Sequence, residues 1–169
     1  PLSLAAPFIS TGLMFHQIYV FNQKGWSLEM LGNGYILLGF FSVIGLILGG
    51  PIVDKFDTKK TAITVLLPLL LAIIILLFFE SVFFLIIYMC LYGFNMGIGA
   101  PFIGSLWAEI YGVESLGTVK ALLHAGMVFA SALSPLVFGY IIDWGFGILT
   151  IGIVSIVIII VSTLLPIYN

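Results

Sequence analysis

The order of apolar and polar residues divides the chain into six long apolar stretches joined by short polar connections. The apolar stretches cover residues 2–21, 30–53, 61–79, 82–106, 121–142 and 146–167. Each is close to the ~20 residues that an α-helix needs to cross the hydrocarbon core of a bilayer. The charged residues all fall between the stretches. The pattern therefore predicts an all-α, polytopic membrane protein with six transmembrane helices, which we number spans one to six.

Composition agrees with this interpretation and argues against other classes of protein. Hydrophobic residues make up 62% of the chain and charged residues 7%, whereas soluble domains carry about 25% charged residues. The net charge of -2 gives no reason to expect a nucleic-acid partner. No metal-ligand cluster, no serine–histidine pairing and no glycine-rich phosphate loop stands outside the spans. We therefore expect no bound metal, no cofactor and no enzyme activity.

Lysines in the connections predict the orientation of the chain. The second connection holds Lys55, Lys59 and Lys60 and the fourth holds Lys120, whereas the connections on the other side hold only Lys24. Cytoplasmic loops of membrane proteins carry an excess of lysine and arginine. The second and fourth connections, and with them both ends of the chain, are predicted to be cytoplasmic.

Spans two and five end alike. The end of span two has Gly50 and Asp54, and the end of span five has Gly139 and Asp143, the same Gly-x-x-x-Asp spacing on opposite faces of the membrane. Many transporters are built from helix triplets that are related by inversion across the membrane plane. The pattern predicts two inverted three-helix repeats, spans one to three and spans four to six.

Polar side chains within the spans are the candidates for a substrate cavity. Such residues usually face the interior of a bundle or a water-filled cavity. Span one has His16 and Gln17, span four has Tyr92 and Asn95 on one helical face, and span five has His124. A second interpretation stays open for each of them, because a histidine can bond a neighbouring carbonyl and a tyrosine can be core packing.

Glycines in span two indicate packing rather than chemistry. Gly45 and Gly49 are one helical turn apart, and small residues at this spacing let two membrane helices approach closely. We expect both to face another helix.

The connection after span two carries five of the twelve charged residues, within residues 54–60. Asp54 ends its helix, where the backbone carbonyls make a carboxylate unfavourable by roughly 0.3–1 kcal/mol. It therefore needs a positive partner, for which Lys55, Lys59 or the N-terminus of another helix would serve. A contact formed in only one conformation would make Gly50, Asp54, Lys55 and Lys59 a conformational latch. Alternatively, the lysines only fix the orientation of the spans.

The sequence from Gly50 to Lys60 resembles the Gly-x-x-x-Asp-Arg/Lys-x-Gly-Arg/Lys-Arg/Lys loop of the major facilitator superfamily. Asp57 stands where that family usually has glycine, and Thr58 where it usually has a basic residue. Further similarity covers Phe15-His-Gln, Leu106-Trp-Ala-Glu-Ile-Tyr-Gly112 and residues 134–143. Together these segments resemble the C-terminal half, helices seven to twelve, of a bacterial facilitator of the monocarboxylate or oxalate/formate antiporter type.

This resemblance implies that residues 1–169 form half of a twelve-helix transporter in a bacterial inner membrane, with the N-terminal half absent. It implies secondary active transport of a small solute by alternating access, with a monocarboxylate as the candidate and protons as a candidate coupling ion. The partners would be the solute, the lipid bilayer and the N-terminal half. The chain departs from carboxylate carriers of the family because it has no arginine inside a span. The alternative is a stand-alone six-helix protein that acts as a homodimeric transporter or a small pore.

Overall fold

The structure, a computed structural model, describes residues 2–55, 58–112 and 116–164. These residues form seven helices and no strand: α1 (Leu2–Phe15), α2 (Gln17–Gln23), α3 (Leu28–Lys55), α4 (Thr58–Phe78), α5 (Val82–Tyr111), α6 (Leu116–Asp143) and α7 (Gly147–Leu164). The predicted all-α fold is confirmed.

Several of these helices can cross a bilayer. Among the described residues, α3, α5, α6 and α7 are long and apolar enough to do so, and α1 with α2 would form a fifth span. α4 has 21 residues, and its described apolar segment is Val65–Phe78. The helices therefore fit a polytopic membrane protein, and the count of six spans stays a prediction.

The first predicted span, residues 2–21, is not one continuous helix. It is divided into α1 and α2, whose axes differ by 66°. His16 separates them, with φ -98° and ψ 17°, in the sparsely populated region between the helical and extended conformations. Hydrophobicity reports which residues lie in the membrane and carries no information on whether their helix is straight. Pro7, the residue of this stretch expected to break a helix, lies inside α1.

Several helices extend beyond the apolar stretches that predicted them. α5 continues past residue 106 to Tyr111, and α6 begins at Leu116, five residues before residue 121. Backbone hydrogen bonds within a helix need no lipid around them, so a helix continues where its side chains become polar. The predicted end of span six, residues 165–167, lies outside the described residues.

The main helix contacts correspond between the two predicted triplets, whose inverted relation stays a prediction. α5 packs against α3 and α4, α1 packs against α6 and α7, and α4 packs against α7. In the two triplets α3 corresponds to α6, α4 to α7 and α1 to α5. Exchanging the triplets turns the α3–α5 contact into the α1–α6 contact and the α4–α5 contact into the α1–α7 contact, and it leaves the α4–α7 contact unchanged. The pattern of contacts is therefore the one expected of two equivalent triplets.

The tightest helix contact joins α3 and α5 through glycines. A Cβ atom added to Gly45 or Gly97 would collide with a backbone carbonyl oxygen of the facing helix, and one added to Gly49 would lie 2.8 Å from Pro101. The prediction that Gly45 and Gly49 serve helix packing is confirmed.

The buried core lies between α1, α2, α4, α5 and α7, and its largest side chains come mainly from these helices. They include Ile9, Phe21, Leu69, Ile73, Tyr88, Met89, Tyr92 and Ile151. Among the candidate spans in the described residues, α3 and α6 bury the smallest shares of their residues. Each of these two helices therefore has a large face that this chain does not cover.

Candidate functional site

His16 lies at the bend between α1 and α2. Its Nε2 atom is 3.0 Å from the carbonyl oxygen of Pro135 in α6. A carbonyl oxygen only accepts, so Nε2 carries the hydrogen in this arrangement. Gly139, one turn beyond Pro135, leaves space for the imidazole, which would lie 3.7 Å from a Cβ added there. The half-buried ring thus connects the bend to α6.

Gln17 connects three helices. Its side chain is 2% exposed, and its Oε1 accepts a hydrogen bond of 2.7 Å from the Tyr35 hydroxyl of α3. Its amide nitrogen donates to the sulfur of Met89 in α5, at 3.9 Å. Nothing in the sequence pairs Gln17 with Tyr35, although a tyrosine inside an apolar span is a signal that its hydroxyl needs a partner.

Tyr92 and Asn95 both point into the bundle from α5, toward different neighbours. The Tyr92 hydroxyl donates to the carbonyl oxygen of Ser10 in α1 at 2.7 Å, and its ring stacks on Tyr88 with the centroids 5.7 Å apart. The Asn95 amide donates to the carbonyl oxygen of Val65 in α4 at 2.7 Å. Tyr92 therefore connects α5 to α1, and Asn95 connects α5 to α4.

His124 lies apart from these interior residues, on an exposed part of α6. It lines a groove of about 520 Å³ between α5 and α6, together with Lys120 one turn earlier. The structure thus brings His16 and Gln17 together at the bend and buries Tyr92 and Asn95 in the core. The substrate role of all five residues stays a prediction.

The four predicted latch residues lie at or near the connection between α3 and α4. Gly50 is half-buried in α3, and Asp54 and Lys55 are exposed in its last turn. Lys59 belongs to α4, and its side chain is outside the described residues. Asp54 therefore lies at the C-terminal end of its helix as predicted, and its role as a latch stays a prediction.

The connection between α2 and α3 is fixed to the end of α4 by contacts that the sequence did not indicate. Lys24 donates to the carbonyl oxygen of Leu77 at 3.1 Å, and the Trp26 indole donates to that of Glu80 at 2.6 Å. The last carbonyls of a helix have no partner within it, and a lysine commonly supplies one. Burial lowers the pKa of Lys24, and the Glu80 carboxylate opposes this shift.

The described residues contain no group of three or more histidine, cysteine, aspartate or glutamate side chains that could hold a metal ion. The polar groups present are hydrogen-bond donors and acceptors distributed among the helices. Such groups can bind and orient a solute.

Comparison with known proteins identifies the family. Neither the curated proteins nor the solved structures include a significant match. The family model described as Major Facilitator Superfamily matches residues 2–168. This match begins at the start of α1 and continues past the end of α7, and the all-helical apolar fold agrees with it. The chain therefore belongs to the major facilitator superfamily.

Proposed function

We propose that this chain forms the C-terminal half of a secondary active transporter that carries a small solute across a bacterial inner membrane by alternating access. The observation that carries the proposal is the family match over residues 2–168, because members of this family transport small solutes through the lipid bilayer. A monocarboxylate is the candidate solute and protons are the candidate coupling ion. Both ends of the chain lie in the cytoplasm in this proposal.

The uncovered faces of α3 and α6 support a second half that packs against this one. Each helix carries a stripe of exposed large apolar side chains at spacings of three, four or seven residues. The stripes are Ile36, Phe40, Val43 and Ile47 on α3, and Leu122, Phe129, Leu136 and Tyr140 on α6. Spacings of this kind place side chains on one face of a helix. We propose that the N-terminal half covers these two faces, with the substrate held between the halves.

The candidate substrate residues would act from the bend between α1 and α2 and from α5 and α6. His16 and Gln17 lie at the break between α1 and α2, and interrupted helices are common where transporters bind their solute. Tyr92, Asn95 and His124 would complete the cavity from α5 and α6. Gly50, Asp54, Lys55 and Lys59 would hold the cytoplasmic side closed in one of the two states.

Uptake into proteoliposomes tests this function. The full-length protein would be reconstituted and given labelled small carboxylates or neutral solutes, with and without an imposed proton gradient. We expect saturable uptake of a carboxylate that increases with the gradient. Uptake of neutral solutes alone would contradict the carboxylate assignment, and uptake that does not saturate would contradict a carrier.

A further inference from the structure

The groove between α5 and α6 combines an apolar wall with a cationic end. Ala100, Gly104 and Trp107 line it from α5, and Lys120, His124 and Met127 line it from α6. Its volume of about 520 Å³ lies within the roughly 300–1,000 Å³ typical of small-molecule sites. A solute of several carbon atoms fits such a space.

The polar groups of the groove are suited to an anion. Lys120 and His124 are four residues apart on α6, so their side chains lie on the same helical face. An ammonium group offers three donors and no acceptor, and an imidazole offers one or two donors. The described lining residues include no acidic side chain. A carboxylate placed here would receive hydrogen bonds from both residues.

The rest of the groove selects for an apolar body. Apart from Lys120, His124 and the Trp107 indole, the described lining is aliphatic or glycine, with the thioether of Met127. A sugar or another polyol would find few hydrogen-bond partners along this lining, so it would gain less from the groove than an apolar body. A short alkyl chain would instead bury apolar surface against Ala100 and Met127.

A second groove lies beside this one, nearer the middle of α5. It has a volume of about 320 Å³, lies between α3 and α5, and shares Ala100 with the first groove. The stripe from Met96 through Ala100 and Gly104 to Trp107 spans eleven helical steps, or about 17 Å along the helix. That is roughly half of the ~30 Å hydrocarbon core. The two grooves therefore lie along α5 from its middle toward the end nearest Lys120.

We propose that the α5–α6 groove is a vestibule site for a small carboxylate with an apolar body, in which Lys120 and His124 bind the carboxylate and Ala100, Gly104 and Trp107 contact the alkyl chain. The proposal rests on the proposed transport function, whose substrate class it names. Lysine distribution places this site on the cytoplasmic side. The spans contain no arginine, and in this proposal Lys120 supplies the positive charge for the carboxylate.

Binding of a graded series of probes tests the site. The full-length protein in nanodiscs of neutral lipid would be titrated with acetate, butyrate and hexanoate, and with hexanamide as the uncharged counterpart of hexanoate. We expect affinity to rise about fourfold for each added methylene and to be at least tenfold higher for hexanoate than for hexanamide. Equal affinities for hexanoate and hexanamide would overturn the proposal.

Variants assign the binding to this groove. Lys120→Gln is expected to remove the preference for hexanoate over hexanamide, and Lys120→Arg is expected to keep it. Ala100→Leu narrows the groove at an exposed position and is expected to remove the dependence on chain length. Lys24→Gln, at the lysine bonded to the end of α4, is the matched control and is expected to bind like the unmodified protein. Unchanged binding in both Lys120→Gln and Ala100→Leu would overturn the proposal.

An anionic phospholipid also carries an anionic group on an apolar chain, so it could occupy the same groove. A second experiment separates a lipid ligand from a carboxylate solute. Nanodiscs containing phosphatidylglycerol would be compared with neutral ones. If phosphatidylglycerol displaces hexanoate and Lys120→Gln leaves solute uptake unchanged, the groove is a lipid site and the proposal is wrong. Carboxylate binding that persists in a protein without uptake would support the site while contradicting the transport function.

Discussion

Several buried polar side chains bond a backbone carbonyl of another helix. Tyr92 bonds Ser10 and Asn95 bonds Val65 in this way, and Ser134 of α6 donates to the carbonyl oxygen of Phe8. A carbonyl oxygen has two lone pairs, so it can accept such a bond and keep its bond within the helix. In membranes, hydrogen bonds between helices contribute about 0.6 kcal/mol on average and up to roughly 2 kcal/mol. These residues therefore hold the helices in register.

Tyr92→Phe tests this role. The substitution removes the bond to Ser10 and keeps an aromatic ring beside Tyr88, so we expect a loss of about 0.5–1.5 kcal/mol in the free energy of unfolding. Reversible unfolding in mixed micelles measures it. Thr163→Val is the control, because the Thr163 hydroxyl bonds carbonyl oxygens within its own helix. Unchanged stability of Tyr92→Phe together with a raised KM for the solute would instead assign Tyr92 to substrate binding.

His16 has a substrate role in our proposal in addition to its bond with Pro135. His16→Ala is expected to raise the KM for the solute several-fold. His16→Gln keeps a donor that can reach the Pro135 carbonyl, so it separates the two roles. We expect His16→Gln to be more stable than His16→Ala, which lacks this donor, and to keep the raised KM. If the KM and the pH profile of uptake are unaffected in both variants, His16 acts only in packing.

The sequence predicted which spans hold polar residues, and it could not predict the partners of those residues. Tyr92 and Ser10 are 82 positions apart, and the accepting group is a main-chain carbonyl that every residue carries. Nothing in the sequence distinguishes one carbonyl from another. The partners of Gln17 and Trp26 were missed for the same reason, since they depend on how the helices pack.

Among the helices, the contact between α3 and α5 gives the sharpest prediction. Gly97→Ala places a methyl group against the carbonyl oxygen of Ser42, so the backbones must separate. We expect a loss of about 1–3 kcal/mol in the free energy of unfolding. Gly99→Ala, two residues away, meets no atom within 4 Å and is expected to be neutral or stabilising because alanine favours helix. Equal losses in the two variants would contradict the account of this contact.

Helix positions were largely predictable from hydrophobicity, whereas the break at His16 was not. The conformation of this residue is held by a bond to Pro135, 119 positions away. The neighbouring Gln17 is bonded to α3 and α5. The break is thus a consequence of packing against three other helices. The apolar composition around residue 16 predicts a continuous span. Composition shows only that these residues lie in the membrane, and it does not show where a helix bends.

At the scale of the whole molecule, the predicted repeat offers Asp143 as the control position for the proposed latch residue Asp54. Asp54 lies in the last turn of α3 and is followed by lysines, whereas Asp143 is the last residue of α6 and no lysine follows it. We expect Asp54→Asn to slow transport while the amount of protein in the membrane stays the same, because the variant loses a contact of one state only. Asp143→Asn is expected to have a smaller effect. Transport by Asp54→Asn at the normal rate would refute the latch.

Counterflow is the measurement that tests alternating access most directly. Proteoliposomes that contain the full-length protein would be loaded with an excess of unlabelled carboxylate and diluted into a trace of the labelled solute. A carrier returns to the outside faster with a solute bound, so the account predicts that labelled solute accumulates transiently above its external concentration. A stand-alone pore would only let the label equilibrate. Equilibration without an overshoot, at the same rate in loaded and empty vesicles, would contradict alternating access by this protein.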